Sequence, residues 1–280
     1  MQYKLLDHTT KPYSRKYLKS IYILKNGDIP KTYGCVPNGE IGISVILRGN
    51  AIIHQVHCKI KQPALSVYGL VRRAQFHSMS AHYYEVNLGF EPYKLQLLLK
   101  ERLSDLQWVD ATPLDLLFKR NIGQELFEKL NCCRTDTEIQ ETIELFLMKV
   151  ATGNRVNERV HEAHRIITQE SVSSVNELAE RLRISGAGLR QLFADKMGLS
   201  PKELMKIHRV RSAISTKHPD EESLTALAYA LNYFDQAHFI HDFKESIGMT
   251  PRRYFANKKL TCDFYNYGRW DYSSLALPNM

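Results

Sequence analysis

The chain has 280 residues and lacks the features that mark disulfide-rich or membrane proteins. Its five cysteines are an odd number and include no C-x-x-C pair, so neither a disulfide framework nor a zinc ribbon is indicated. No apolar run approaches the roughly 18 residues that cross a bilayer, and the first residues lack a basic stretch followed by an apolar core. We therefore expect a cytoplasmic protein that has no membrane partner.

The composition is that of a folded protein, and its net charge makes an anionic partner worth testing. Hydrophobic residues make up 44% and charged residues 24%, and 15 Tyr with 11 Phe exceed the aromatic content of a disordered chain. The net charge is +8, and residues 181–217 hold nine basic against two acidic side chains. Such local density suits phosphate binding, because each neutralised phosphate releases counterions. The alternative is a solvated helix face.

The first part of the chain has the pattern of a β domain. Short β-rich runs separated by turn sequences recur about every ten residues, which predicts an antiparallel barrel or sandwich. The runs are Tyr17–Leu24, Ile41–Leu47, Ala51–Val56, Leu65–Leu70 and Tyr83–Leu88. After Pro92 the apolar spacing becomes helical, as in the stripe Ile139, Ile143, Phe146, Leu147 and Val150. This stripe is expected either to pack against the β domain or to form a dimer face.

Residues 174–198 carry the pattern of a helix, a tight turn and a second helix. Ser185 is suited to cap the second helix. The first helix has the apolar residues Val175, Leu178, Ala179 and Leu182, and the second has Leu189, Leu192 and Phe193. In a helix-turn-helix, the outward face of the second helix enters the major groove of DNA.

The same pattern is repeated further along the chain, after an amphipathic segment at Lys202–Ser215 that predicts a connecting helix. In the second copy Asn232-Tyr233-Phe234 makes the turn and Asp235 caps the helix. Both copies end alike, with Gly198-Leu199-Ser200-Pro201 in the first and Gly248-Met249-Thr250-Pro251 in the second. Glycine stops a helix, a hydroxyl caps the next one and proline fits its first turn, so the repeat has a structural reason.

The run Asn232-Tyr233-Phe234-Asp235-Gln236-Ala237-His238-Phe239, with its Gly248-Met249-Thr250-Pro251 ending, resembles the signature of AraC/XylS-type bacterial transcription regulators. The resemblance extends over residues 160–257. It implies seven helices, with two recognition helices held by a connecting helix about 34 Å apart, so that they meet successive major-groove segments of double-stranded DNA.

The resemblance also implies which residues contact DNA. Bases would be read by Ala187, Arg190 and Gln191 in the first unit and by Gln236, Ala237, Ile240 and His241 in the second. Phosphates would be bound at Ser185, Lys196, Arg209, Asp235 and Lys244, partly through main-chain amides at helix starts. For Arg209 a structural ion-pair role is the alternative.

The chain departs from the family pattern at several positions. Arg183 and Asn232 stand at turns where glycine is usual, and Asn tolerates positive φ better than Arg does. Gly186 and Gly188 weaken the start of the first recognition helix, and His241 replaces the usual arginine. We therefore predict that the second unit docks more firmly and that the first reads sequence loosely.

The front half resembles the cupin-like sensor domains of some members of the same superfamily. The residues that carry this resemblance are Cys35–Gly49, Gly69-Leu70 and Phe90–Tyr93. It implies that a small-molecule effector in the barrel, or a homodimer contact beside it, changes how the DNA-binding half is presented to DNA. An activator would also contact RNA polymerase.

The predicted fold class is thus α+β: an N-terminal antiparallel β-barrel, cupin-like, with appended helices, followed by an all-α domain of two helix-turn-helix units joined by a linker helix. The predicted domains are 1–151 for sensing or dimerisation, 156–257 for DNA binding and 258–280 as an aromatic-rich tail, with Thr152–Arg155 as the linker.

The predicted function is sequence-specific, DNA-binding transcription regulation without catalysis, metal or cofactor. One alternative is a metal-dependent cupin enzyme with a DNA-binding tail. Against it, His54 and His57 are three residues apart and would face opposite sides of a strand. The other alternative is a protein-interaction module with decayed helix-turn-helix units. The tail is expected to pack onto the helices or to contact DNA, a dimer mate or another protein.

Overall fold

The computed structural model describes residues 2–54, 58–99, 111–118, 120–170, 172–215, 221–256 and 269–271. The aromatic-rich tail predicted at 258–280 therefore lies outside the described residues, apart from 269–271.

The β-strands are concentrated in the first third of the chain. They are β1 (Gln2–Leu6), β2 (Ser20–Lys25), β3 (Lys31–Cys35), β4 (Ile41–Arg48), β5 (Ala51–His54), β6 (Lys59–Lys61), β7 (Leu65–Tyr68), β8 (Gln75–Met79), β9 (Tyr84–Phe90), β10 (Thr112–Pro113) and β11 (Arg269–Asp271).

Two short helices interrupt the strands, and longer helices follow them. They are α1 (Pro12–Tyr17), α2 (Pro92–Leu95), α3 (Arg120–Cys132), α4 (Asp136–Val150), α5 (Glu158–Gln169), α6 (Val175–Arg181), α7 (Gly186–Met197), α8 (Pro201–Ser215), α9 (Glu221–Ala230), α10 (Gln236–Ile247) and α11 (Pro251–Ala256). A 3₁₀ turn spans Leu114–Leu116. Within the described residues, no helix is long and apolar enough to span a bilayer.

The strands form two sheets, which confirms the α+β class. The six-stranded sheet has the order β1-β2-β9-β4-β7-β10 and is antiparallel throughout. The other sheet has the order β11-β3-β8-β5-β6. The predicted β run that starts at Tyr17 is displaced, because Pro12 opens a helix that continues to Tyr17 and β2 begins only at Ser20.

One face of the six-stranded sheet forms a core with α3 and α4. Ile43 and Val45 of β4 are fully buried there. The helical stripe predicted from the sequence contributes Ile139, Ile143, Phe146, Leu147 and Val150 to the same core. The stripe therefore packs against the sheet, and a capping box at Thr135 and Glu138 fixes the start of its helix.

The described chain divides into two compact units. The first comprises residues 1–32, 40–70 and 77–156, and the second comprises residues 33–39, 71–76 and 157–280. The second unit thus contains two short segments from the first third of the chain as well as the helices α5–α11.

Candidate nucleic-acid interface

Seven helices, α5–α11, are described between Glu158 and Ala256, the number that the family resemblance implies. In the first helix-turn-helix unit, α6 ends at Arg181 and Arg183 adopts the left-handed conformation with φ = 52°. The Oγ of Ser185 then accepts a hydrogen bond from the Gly188 amide at 3.0 Å. α7 ends at Gly198, whose φ is 67°. Turn, cap and helix stop thus occupy the positions predicted from the sequence.

The second unit repeats this geometry. Asn232 takes the same left-handed turn with φ = 57°, and an Asp235 carboxylate oxygen accepts a hydrogen bond from the His238 amide at 2.7 Å. α10 ends at Gly248 with φ = 84°. Each recognition helix therefore starts at a side-chain cap and stops at a left-handed glycine.

The inward faces of both recognition helices are fully buried. In α7 the buried anchors are Leu189 and Phe193, both with no exposed surface. In α10 Phe239 and Phe243 pack edge to face, with ring centroids 5.7 Å apart. Burial also raises the pKa of the neighbouring Tyr233 hydroxyl. These anchors fix the rotation of each helix, and with it the face that remains outside.

The residues predicted to read bases lie on the outward faces of α7 and α10. Ala187, Arg190, Gln191, Ala237 and His241 are exposed, whereas Gln236 and Ile240 are half-buried.

Two of the predicted amide side chains have contacts within the protein. The Gln191 amide donates to Asp195 Oδ1 at 3.0 Å, and Gln236 Oε1 accepts from Thr225 Oγ1 at 3.1 Å. The Gln236 contact joins α9 to α10, which restrains its side chain before any ligand arrives. His241 has a side chain that is 74% exposed, with Nδ1 3.7 Å from an Asp242 oxygen.

The predicted phosphate-binding residues differ in their surroundings. Ser185 and Asp235 are helix caps, so their side-chain oxygens already accept hydrogen bonds from main-chain amides. Lys244 is exposed and Lys196 is half-buried. Arg209 donates to the Ser173 carbonyl at 2.6 Å, and its guanidinium lies 5.3 Å from the centroid of the Tyr233 ring.

The connecting helix α8 joins the two helix-turn-helix units through charged side chains. Through the contacts just described, Arg209 links the loop before α6 to the turn before α10. Lys206 lies 3.1 Å from a carboxylate oxygen of Glu245 on α10. The hydrogen bond from Lys206 lowers the pKa of Glu245, as do the charges of Lys206 and Arg73. The sequence predicted Arg209 as a phosphate contact, with a structural ion-pair role as the alternative, and did not single out Lys206.

Two segments from the first third of the chain, residues 33–39 and 71–76, pack with the helices α5–α11 in the second compact unit. The Ala74 amide donates to the Ser246 carbonyl at 2.7 Å, beside an ion pair of 3.6 Å between Arg73 and Glu245. Val36 and Phe76 are buried in the same apolar cluster as α9, α10 and α11. No local sequence signal points to these contacts, because the partners are far apart along the chain.

Possible metal ligands are few among the described residues. His241, Asp242 and Glu245 place one ligand atom each within 4.8 Å of one another. Glu245 already pairs with Lys206 and Arg73, which compete with a cation for its carboxylate. His54 Nε2 lies 2.7 Å from Ser78 Oγ, and burial, with a smaller effect of Lys59, lowers the His54 pKa. His57 lies outside the described residues.

Comparison with known proteins agrees with the helical geometry. A family model described as a helix-turn-helix domain matches residues 178–257. The uncharacterized HTH-type transcriptional regulator YidL of Escherichia coli is 34% identical over 84 residues, 30% of this chain and 28% of that protein. An uncharacterized HTH-type transcriptional regulator of Haemophilus influenzae is 29% identical over 80 residues, 29% of this chain and 27% of that protein. The chain therefore spans less than a third of the length of either relative.

Among solved structures, ToxT of Vibrio cholerae at 1.65 Å aligns with 91% of this chain and 98% of its own, at 12% identity and a TM-score of 0.45. The C-terminal domain of AraT, a response regulator of Geobacillus stearothermophilus, aligns with 40% of this chain and 94% of its own, at 21% identity and a TM-score of 0.35. The family match and the two capped units together confirm the resemblance found in the sequence: residues 178–257 form a helix-turn-helix domain of the AraC/XylS type.

Proposed function

We propose that the chain is a sequence-specific DNA-binding transcription regulator whose helices α7 and α10 enter successive major-groove segments of one duplex. The observation that carries the proposal is the pair of capped recognition helices, each with an apolar inward face and an outward face bearing Arg190 and Gln191 or Gln236 and His241. Arginine pairs best with guanine, and the amide side chains pair best with adenine.

Base reading is proposed for Ala187, Arg190, Gln191, Gln236, Ala237, Ile240 and His241, and phosphate binding for Ser185, Lys196, Arg209, Asp235 and Lys244. At Ser185 and Asp235 the groups offered to phosphate are the main-chain amides at the helix start, because the side chains serve as caps. Arg209 also has internal partners in the Ser173 carbonyl and the Tyr233 ring, so in addition to contacting phosphate it holds the two helix-turn-helix units in register. Phosphate contacts position the protein, and base contacts select the sequence.

The test is the selection of bound fragments from genomic DNA, followed by affinity measurement on the selected site at fixed salt. Arg190→Ala and Gln236→Ala should each weaken binding and relax specificity at one base position, by about 1–3 kcal/mol of discrimination. Arg159→Ala and Gln169→Ala are matched controls, because these residues are exposed on α5, outside both recognition helices.

The second helix-turn-helix unit is expected to bind DNA more firmly than the first. Gln236 is restrained by Thr225, whereas the first recognition helix, α7, has two glycines in its first turn. Gln236→Ala should therefore cost more affinity than Arg190→Ala. Equal losses would contradict the ranking of the two units. Absence of any sequence preference in the wild type would refute the regulator proposal and favour a protein-interaction module.

The N-terminal unit is proposed to respond to a small molecule or to mediate homodimerisation. On α4 the buried stripe leaves Leu145 and Met148 outside, with 54% and 50% of their surface exposed. Association through this face would shield both side chains from water. Leu145→Glu should then convert a dimer to a monomer in sedimentation equilibrium, and a monomeric wild type would exclude this contact.

A further inference from the structure

An open groove lies at one end of the six-stranded sheet, between the sheet and the start of α4. Its volume is about 340 Å³, within the range of roughly 300–1,000 Å³ that is usual for small-molecule sites. Lys25, Arg48 and Tyr84 line the groove from the sheet, and Arg134 and Asp136 line it from the opposite wall. All of these residues belong to the first compact unit, so the groove is separate from both helix-turn-helix units.

The strand register places three of the lining side chains in one row. Tyr84 of β9 stands directly opposite Lys25 of β2 on one side and opposite Arg48 of β4 on the other. Directly opposite residues of neighbouring strands point their side chains to the same face of the sheet. Tyr84 packs against the apolar core with the helices, and the Lys25 ammonium lies 4.3 Å from the centroid of its ring. The whole row therefore lies on the face of the sheet that carries α3 and α4.

A β-bulge at the end of β4 turns Arg48 towards the groove. Ile46 pairs with the buried Glu85, and Arg48 pairs with Tyr84, so Leu47 is an extra residue in β4. In a regular strand Arg48 would point to the same face as Ile46, away from the helices, because side chains alternate. The extra residue moves Arg48 to the face of Tyr84 instead. Bulges that redirect a side chain in this way are concentrated beside functional sites.

The groove has an excess of positive charge. Within the part of the chain that the structure describes, neither the Arg48 nor the Arg134 guanidinium forms an ion pair. Asp136, the acidic residue of the lining, is already paired with Lys4. The carboxylate of the nearby Glu138 accepts hydrogen bonds from main-chain amides before α4, as part of the capping box. Two arginine side chains on facing walls of the groove are therefore available to an anionic ligand.

We propose that this groove binds a small organic phosphate monoester. Such an ester carries about 1.5 to 2 negative charges at neutral pH, on three terminal oxygens. It suits two guanidinium groups better than a carboxylate does, because a single arginine already satisfies a carboxylate with two parallel hydrogen bonds. The Tyr84 ring and the apolar side chains of Ile23 and Ile139 provide contacts for the organic part. That the ester acts as the effector rests on the proposed function, whereas the binding itself does not.

Isothermal titration calorimetry of the full-length protein with phenyl phosphate tests the proposal, with benzoate as the carboxylate probe and phenol as the neutral probe. Saturable binding of one phenyl phosphate per chain is expected, at least about tenfold tighter than the binding of benzoate or phenol. Arg48→Ala and Arg134→Ala should each weaken it by about 10- to 100-fold, because charge-assisted hydrogen bonds are lost. Arg48→Lys should lose less, because the charge remains although the planar fork does not.

Two further variants locate the bound ester. Arg15→Ala is the matched control, because Arg15 is an exposed arginine of the same compact unit that does not line the groove. Arg190→Ala removes a cation from the outward face of α7 and detects binding of the ester to the proposed DNA-contacting surface. Both variants should bind phenyl phosphate as the wild type does.

Equal affinity for phenyl phosphate and phenol would overturn the proposal, as would no saturable binding, or unchanged affinity in both Arg48→Ala and Arg134→Ala. A loss in Arg190→Ala as large as in the groove variants would assign the ester to the DNA-contacting surface and refute the groove site. Tighter binding of benzoate would refute the phosphate assignment.

DNA affinity of the wild type, measured without ester, separates the two proposals. Retained DNA binding without ester binding refutes only the groove site, and lost DNA binding with intact ester binding refutes only the regulator.

Discussion

Replacing Arg183 by glycine should stabilise the first helix-turn-helix unit. Arg183 occupies the turn between α6 and α7 with φ = 52°. The left-handed conformation costs an ordinary L-residue roughly 1–2 kcal/mol. Glycine removes this strain but adds roughly 0.5–1 kcal/mol of conformational entropy to the unfolded chain. The difference predicts a net gain of about 0.5–1 kcal/mol in the free energy of unfolding.

Native-state amide hydrogen exchange resolves this effect in the intact chain. The buried helix α7 reports on the first unit through the amides of Leu189 and Phe193. A gain of about 0.5–1 kcal/mol corresponds to roughly two- to fivefold slower exchange, since each 1.4 kcal/mol is a factor of ten.

The second unit provides the matched control. Asn232 adopts φ = 57° at the equivalent turn, and asparagine tolerates this region because its short polar side chain bonds locally. Asn232→Gly should therefore change exchange in α10 very little, and Arg183→Asn should recover much of the gain without the entropy of glycine. Unchanged or faster exchange in Arg183→Gly, or an equal gain in Asn232→Gly, would refute the strain argument.

Other perturbations test the cap, the connecting helix and the ion pairs. Asp235→Ala removes the α10 cap and should lower local stability by about 1 kcal/mol, read from exchange in α10, whereas Asp235→Asn should retain most of it. Arg209→Lys should lower DNA affinity although the charge is kept, because an ammonium cannot contact the Ser173 carbonyl and the Tyr233 ring at once. If the affinity of this variant equals that of the wild type, Arg209 does not hold the two helix-turn-helix units together. Because the pKa of Glu245 is lowered in the folded protein, its ion pairs stabilise the fold above the ordinary carboxyl pKa, and this stabilisation is lost as pH falls through the folded-state pKa. Glu245→Gln should therefore make the free energy of unfolding depend less on pH in the acid range. An unchanged pH dependence would show that the ion pair with Lys206 does not contribute to stability.

The structure also shows where sequence reasoning about the β domain was limited. The runs at Ile41–Leu47 and Tyr83–Leu88 correspond to β4 and β9, but β1, β3 and β8 were not predicted. β3 and β8 carry Thr32, Ser78 and other polar residues, and they lack the continuous apolar pattern that marks a buried strand. The buried position of Glu85 was missed because a charged residue alternating with apolar ones normally faces water.

The sequence by itself determined the local features of the helical unit. Caps at Ser185 and Asp235, left-handed turns at Arg183 and Asn232, and helix stops at glycine were all predictable, because each depends on residues only a few positions apart.

Only the tertiary structure decided which distant groups meet. It brings Arg73 and Ala74 against α10, gives Arg209 internal partners, and buries Glu85 beside Asn87. These contacts join segments far apart along the chain and arise from the packing of whole elements, so no short window of sequence contains the information that specifies them.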